Sequence, residues 1–189
     1  SDHGEVVRVQ GAEVSKQFFD VLRSKLAIGR FFVPEEQRLG APMAIVISHR
    51  LWTEQFAASP RVIGSTVHSG TTPVTIVGVL QPGQEFPASV DMWYPRERYH
   101  EDDSYTAHNW QVIARVKDDI TVERANRDVS QVLRRIHAAV GDETWTFDGV
   151  AIPLLDQIVG DARVLLLLVL GASGVLLLIA CANVANLLI

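Results

Sequence analysis

Hydrophobic and polar positions divide the chain unequally. Residues 1–163 mix apolar and charged side chains as a compact soluble domain does, whereas residues 164–189, VLLLLVLGASGVLLLIACANVANLLI, carry no charged side chain. At about 1.5 Å per helical residue this run reaches about 39 Å, more than the roughly 30 Å hydrocarbon core of a bilayer, and it is predicted to cross a membrane as a helix. Core helices are shorter and interrupted by polar residues, and a signal peptide would sit at the N-terminus behind a basic flank.

Upstream, residues 5–10 alternate and are rich in Val, which predicts a strand. Ser15 is placed to cap a helix over 16–24, with Phe18, Phe19 and Leu22 on one face. Gly29 and Pro34 then break the chain. The apolar run 43–47 predicts a buried strand, and Ser48 caps a helix whose apolar side holds Leu51, Trp52 and Phe56. Residues 66–68 and 74–80 predict a hairpin that turns through Ser69, Gly70, Thr71 and Thr72. Pro82, Gly83, Pro87 and Pro95 punctuate a loop-rich stretch in which Phe86, Trp93 and Tyr94 serve packing.

An acidic loop is expected at 101–103 and a further strand at 111–116. Thr121 caps the strongest helix signal before the span, over 122–140, where Val122, Ala125, Val129, Val132, Leu133, Ile136 and Val140 trace one face. Residues 150–155 read as a last strand leading into the membrane. The order of strand, helix, strand-rich centre, strand, helix and strand predicts an α+β domain with an insertion.

Composition narrows the function. A net charge of −5 supplies no basic field, which argues against nucleic acid as a partner. The single cysteine, Cys181, lies in the span, so no intrachain disulfide forms. Ser1 at the start and an end within the apolar run give the expectation of a piece of a longer protein. Basic residues beyond Ile189 would place everything before residue 164 outside the cytoplasm.

Six histidines show no metal-ligand spacing, and a site assembled from His100, Asp102 and His108 reads more simply as a polar loop. No G-x-S-x-G elbow is present, and the pairs Glu35–Glu36, Asp102–Asp103 and Asp118–Asp119 are adjacent carboxylates of the kind that mark solvated turns. No phosphate-binding G-x-x-x-x-G-K-[ST] sequence occurs, so ATP would be handled by a separate subunit. No catalytic, cofactor-binding or metal residue is assigned. The candidate functional positions lie in the span: Gly171, Gly174, Cys181 and Ala185 permit close helix contact, and Asn183 and Asn186 can hydrogen-bond a neighbouring helix at about 0.6 kcal/mol each.

The closing run resembles the start of the permease region in MacB-like and FtsX-like ABC transporter permeases, particularly the duplicated orphan permease group. AEVSKQFFDVLRSKLAIGRFF at 12–32 is similar to that family's strand-to-helix entry, AIVISHRLWTEQF at 44–56 to its next strand and helix, and VTIVGVLQPGQEFP at 74–87 to its hairpin and following loop. Asp91, Trp93 and Pro95 are similar to its D-x-W-x-P element. Where family members often have Asn-Gly in the hairpin, this chain has Ser69 to Thr72.

The resemblance implies a periplasmic core domain with a mixed α/β subdomain from both chain ends, residues 1–41 and 104–160, and an inserted β-rich subdomain, residues 42–103. A transmembrane helix at 164–189 follows. It also implies a bacterial inner-membrane location, other permease helices and a homodimer partner, and a separate cytoplasmic ATPase. The expected role is mechanotransmission in export or envelope regulation, with residues 156–163 as the transmitter. The alternative from another class is a membrane-anchored extracytoplasmic binding or sensor domain.

Overall fold

The computed structural model describes residues 7–99, 110–141 and 148–188. They fall into two compact units, the first from residues 7–99 with 110–115, the second from residues 116–141 with 148–188.

The first unit is built on a strand that is apolar at every position. β3 (Met43–Ile47, MAIVI) sits inside the sheet, and the two-residue strand period sends Ala44 and Val46 to one face and Ile45 and Ile47 to the other. Neither face of β3 meets solvent, which is why its sequence does not alternate. The sheet order is β1 (Gly11–Val14), β6 (Met92–Pro95), β3, β5 (Thr72–Leu80), β2 (Leu26–Gly29), with β4 (Thr66–Ser69) also paired to β5. β1 runs parallel to β6 and β3 parallel to β5, and the other pairings are antiparallel. As expected, β4 and β5 form a hairpin, closing on a Ser69–Thr72 pair with Gly70 at positive φ.

Each face has its own cover. On one, α1 (Phe18–Leu22) inserts Phe19 against Val46, Leu80 and Trp93, with Phe31 stacked on Phe19 at 4.6 Å between ring centres. On the other, α2 (His49–Phe56) lays Leu51, Trp52 and Phe56 over Ile45, Ile47, Val74, Ile76 and Val79. The α2 start is the one expected: the Ser48 hydroxyl accepts the Leu51 N–H at 3.0 Å, satisfying an otherwise unpaired helix donor.

A bulge lets β5 serve both faces. Ile45 pairs with Ile76 but Val46 pairs with Gly78, leaving Val77 as the extra residue. At this point β2 closes on β5 through two glycines. A Cβ on Gly78 would strike the Arg30 carbonyl oxygen, and one on Gly29 would strike the Val77 carbonyl oxygen and lie 2.8 Å from the Gly78 Cα.

Several elements differ from expectation. The first strand begins at Gly11, and residues 7–10 form no ladder, because the pairing partner β6 begins only at Met92. α1 is shorter than 16–24, and Ser15 contributes its carbonyl to the Phe18 N–H at 2.9 Å; its side chain does not cap the helix. β2 and β6 were not expected. Residues 111–116 form no strand; Arg115 there donates to the Val21 carbonyl oxygen at 3.0 Å from Nε, at the end of α1. β1 and β2, from residues 1–41, pair within the same sheet as β3 to β6. The acidic loop at 101–103 lies outside the described residues.

In the second unit, α3 (Val122–Val140) matches expectation at both ends, with the Thr121 hydroxyl accepting the Arg124 N–H at 3.3 Å. Residues 148–152 run along it. The Ser130 hydroxyl donates to the Gly149 carbonyl at 3.3 Å, Arg134 pairs with Asp148 at 3.2 Å, and the Asn126 side-chain oxygen accepts the Ala151 N–H. Residues 150–155 are therefore not a strand: 150–153 follow α3, and α4 (Leu154–Leu188) begins at Leu154. Taken together, the described residues form a mixed α/β fold with a C-terminal apolar helix, in agreement with the predicted class.

Gly29→Ala tests the β2–β5 closure. At φ +82 with backbone atoms inside contact distance, the substitution is expected to cost about 3 kcal/mol, whereas Gly40→Ala, at φ +72 with nothing within 4 Å, is expected to cost about 1 kcal/mol. Urea unfolding of the chain in lipid nanodiscs, followed by tryptophan fluorescence, measures both; equal costs would contradict the closure.

Candidate functional site

Two places combine chemistry with position: a buried carboxylate in the first unit and the long helix of the second. Asp91 is 4% exposed at the residue before β6. Its carboxylate takes the Arg50 guanidinium on one oxygen, accepts the Ser48 hydroxyl at 3.4 Å on the same oxygen, and accepts the Gln10 N–H at 3.4 Å on the other. Its backbone is tied as closely. The Asp91 carbonyl accepts the Ser48 N–H at 2.8 Å, and the Asp91 N–H donates to the Gln10 carbonyl at 2.8 Å.

One residue thus joins the entry to β1, the β3–α2 corner and the start of β6. A carboxylate removed from water needs such partners, because an unpaired buried charge costs several kcal/mol. Two residues on, Trp93 is fully buried and donates its indole N–H to the Phe86 carbonyl at 2.9 Å. The D-x-W-x-P element is therefore β6 with the residue before it, Asp91 as its anchor and Trp93 as its core residue. The element was legible in sequence, but its Asp could not be distinguished from a surface residue without its Ser48 and Gln10 partners.

The chemistry of this node is fastening. The carboxylate's contacts run to the Gln10 N–H, the Ser48 hydroxyl and the Arg50 guanidinium, all within the same unit. Elsewhere in the unit, Arg30 holds Glu36 in a two-pronged pair at 2.7 and 2.8 Å. The hydrogen bond from Arg30 lowers the Glu36 pKa, with the Val33 N–H adding to the effect, and the same bond raises that of Arg30. Among the described residues, no group of three or more His, Cys, Asp or Glu could hold a metal ion. His100, Asp102 and His108 lie outside the described residues.

α4 is one uninterrupted 35-residue helix, about 52 Å long at 1.5 Å per residue. Its apolar core, Leu165–Val184, has a mean hydropathy of 2.8 and spans about 30 Å, the thickness of the hydrocarbon layer. The preceding eleven residues, 154–164, belong to the same helix. At about 100° per residue, Gly171, Gly174, Cys181 and Ala185 fall within an arc of about 80°. Asn186 lies about 60° beyond Gly171 on the far side, and Asn183 is nearly opposite the arc. The helix thus groups the four small positions and separates the two asparagines from them. Gly171, Gly174, Cys181, Asn183 and Asn186 are all exposed.

Comparison with known proteins gives a consistent answer. A family model described as the MacB-like periplasmic core domain matches residues 1–132. The chain is 27% identical over 145 residues to a probable export ATP-binding/permease protein MacB of Pseudomonas entomophila, covering 75% of this chain and 22% of that protein. It is 25% identical over 179 residues to macrolide export ATP-binding/permease protein MacB 2 of Aeromonas hydrophila, covering 93% of this chain and 27% of that one. The chain therefore spans only about a quarter of these relatives. The crystal structure of the periplasmic region of MacB from Actinobacillus actinomycetemcomitans aligns with a TM-score of 0.48 at 18% identity, covering 68% of this chain and 56% of the other.

The Asp91 node is tested by removing its acceptor. Asp91→Ala leaves the buried Ser48 hydroxyl without its acceptor and is expected to cost about 2 kcal/mol, with Asp91→Asn about 1 kcal/mol because one oxygen remains. The Arg50 share is small, since that side chain is half exposed and can return to water. Urea unfolding monitored through Trp93 measures the difference, and a neutral Asp91→Ala would contradict the fastening role.

Proposed function

The chain belongs to the MacB-like periplasmic core domain family, and on that premise we propose that it is the extracytoplasmic domain and following membrane helix of an ABC-type permease. Its work is to carry displacement of the membrane helices outward, for export or for control of an envelope partner. ATP is bound and hydrolysed by a nucleotide-binding unit outside this sequence. Small positions at Gly171, Gly174, Cys181 and Ala185 are proposed contacts with other permease helices or with a second copy, and Asn183 and Asn186 are proposed hydrogen-bonding positions for a different neighbour.

The observation that supports this reading is the continuity of α4. A helix that passes from Leu188 to Leu154 without a break acts as a lever. Its outer end is held close by, because residues 148–152 are tied to α3 through Ser130, Arg134 and Asn126. Tilt or translation of the span is then delivered to α3 without loss at a flexible joint. Leu155 and Ile158, exposed on the projecting part of α4, give that part an apolar stripe that a neighbouring helix would cover.

Inserting a flexible Gly-Ser segment of about six residues between Gly160 and Val164 of the full permease tests the lever. Transport is expected to be lost while nucleotide binding is kept, and a helical insertion of two full turns is expected to retain more activity than the flexible one. Unchanged transport with the flexible segment would contradict the proposal.

A further inference from the structure

The α2 side of the sheet is not completely closed. A groove of about 610 Å³ opens there, within the size range of small-molecule sites. Its floor is Ile45, Ile47, Val74 and Ile76, all 3% exposed or less. Leu51 and Phe56 of α2, Val67 of β4, and Val7 and Val9 of the N-terminal segment complete the lining. Such a lining offers dispersion and burial to a hydrocarbon chain and almost no hydrogen bonds.

One permanently charged side chain, Arg8, borders the groove, with His68 also in the lining, and among the described residues no Asp or Glu lines it. Among the described residues, neither the Arg8 guanidinium nor the His68 imidazole has a hydrogen-bond or ion-pair partner. A free guanidinium beside an apolar trough is complementary to a ligand with a chain at one end and a carboxylate at the other, the carboxylate gaining a charge-assisted hydrogen bond. We propose that this groove binds a single-chain carboxylate amphiphile, with the acyl chain between α2 and β4 and the head group at Arg8. The site is independent of the lever proposed for α4.

The test uses the full chain in lipid nanodiscs and a dodecanoate analogue carrying a photoreactive diazirine at the far end of its chain. Mapping the cross-linked peptides by mass spectrometry separates the groove from the span, so partitioning of the probe into lipid does not confuse the result. Labelling is expected in the peptides holding Leu51 and Phe56 and those holding Val67 and Val74. Excess dodecanoate should suppress it, whereas dodecylamine at the same concentration should not. Gln55→Trp, which places a large ring from an exposed α2 position into the groove, should abolish this labelling. Arg8→Gln should raise the dodecanoate concentration needed for suppression by about tenfold. Circular dichroism confirms folding of each variant, and Arg8→Gln keeps the test alive if Gln55→Trp misfolds. Labelling confined to α4, equal competition by dodecylamine, or full labelling in a folded Gln55→Trp variant would overturn the proposal.

Discussion

The carboxylate of Asp91 is the constraint on which the sheet depends. β1, β3 and β6 come from distant parts of the sequence, and a sheet of short strands has little to hold its register besides what its ends are tied to. Asp91 ties three such ends at once, through Gln10, Ser48 and Arg50. Burial of the Asp91 side chain gives this tie its stringency, because a buried carboxylate that lost its partners would be left uncompensated. Trp93 then carries the same register into the core, where Phe19 and Val46 pack with it.

From that fastening follows a body with two different faces. The face under α1 carries Phe19 and Trp93, and the face under α2 branched side chains, with the bulge at Val77 shifting the alternation of β5 by one residue. The aliphatic face retains a groove because α2, eight residues long, covers only part of the strands beneath it. The second unit follows other rules. It has no sheet among the described residues, and its order comes from helix caps, a few side-chain ties and one long apolar helix.

How much of this was legible in the sequence depends on whether the determinants were local. Ser48, Thr121 and the apolar periodicity of residues 122–140 are local signals, and α2 and α3 start where they indicate. The run 43–47 announced a strand buried on both faces, and the Ser69–Thr72 turn announced the hairpin. β2 and β6 were hidden because four-residue strands bordered by glycine or proline look like loops until β5 and β3 supply their ladders. Residues 150–155 showed the converse error: a short apolar run cannot by itself distinguish a strand from the first turn of a helix, and Pro153 before Leu154 favours a helix start. The carboxylate at Asp91 was visible only as part of a motif, since its meaning lies in partners 41 and 81 positions away.

In the proposed mechanism α4 behaves as a single rigid element from Leu154 to Leu188. Native-state hydrogen exchange of the backbone amides from Gly160 to Val164, with the full chain in lipid nanodiscs, measures this directly, because a helix that continues through the junction protects those amides and a joint exposes them. The account predicts slow exchange at all of these amides, continuous with the protection of the span at Leu165. Exchange there at the rate of an unstructured chain, beside a protected span, would show a hinge and would contradict it.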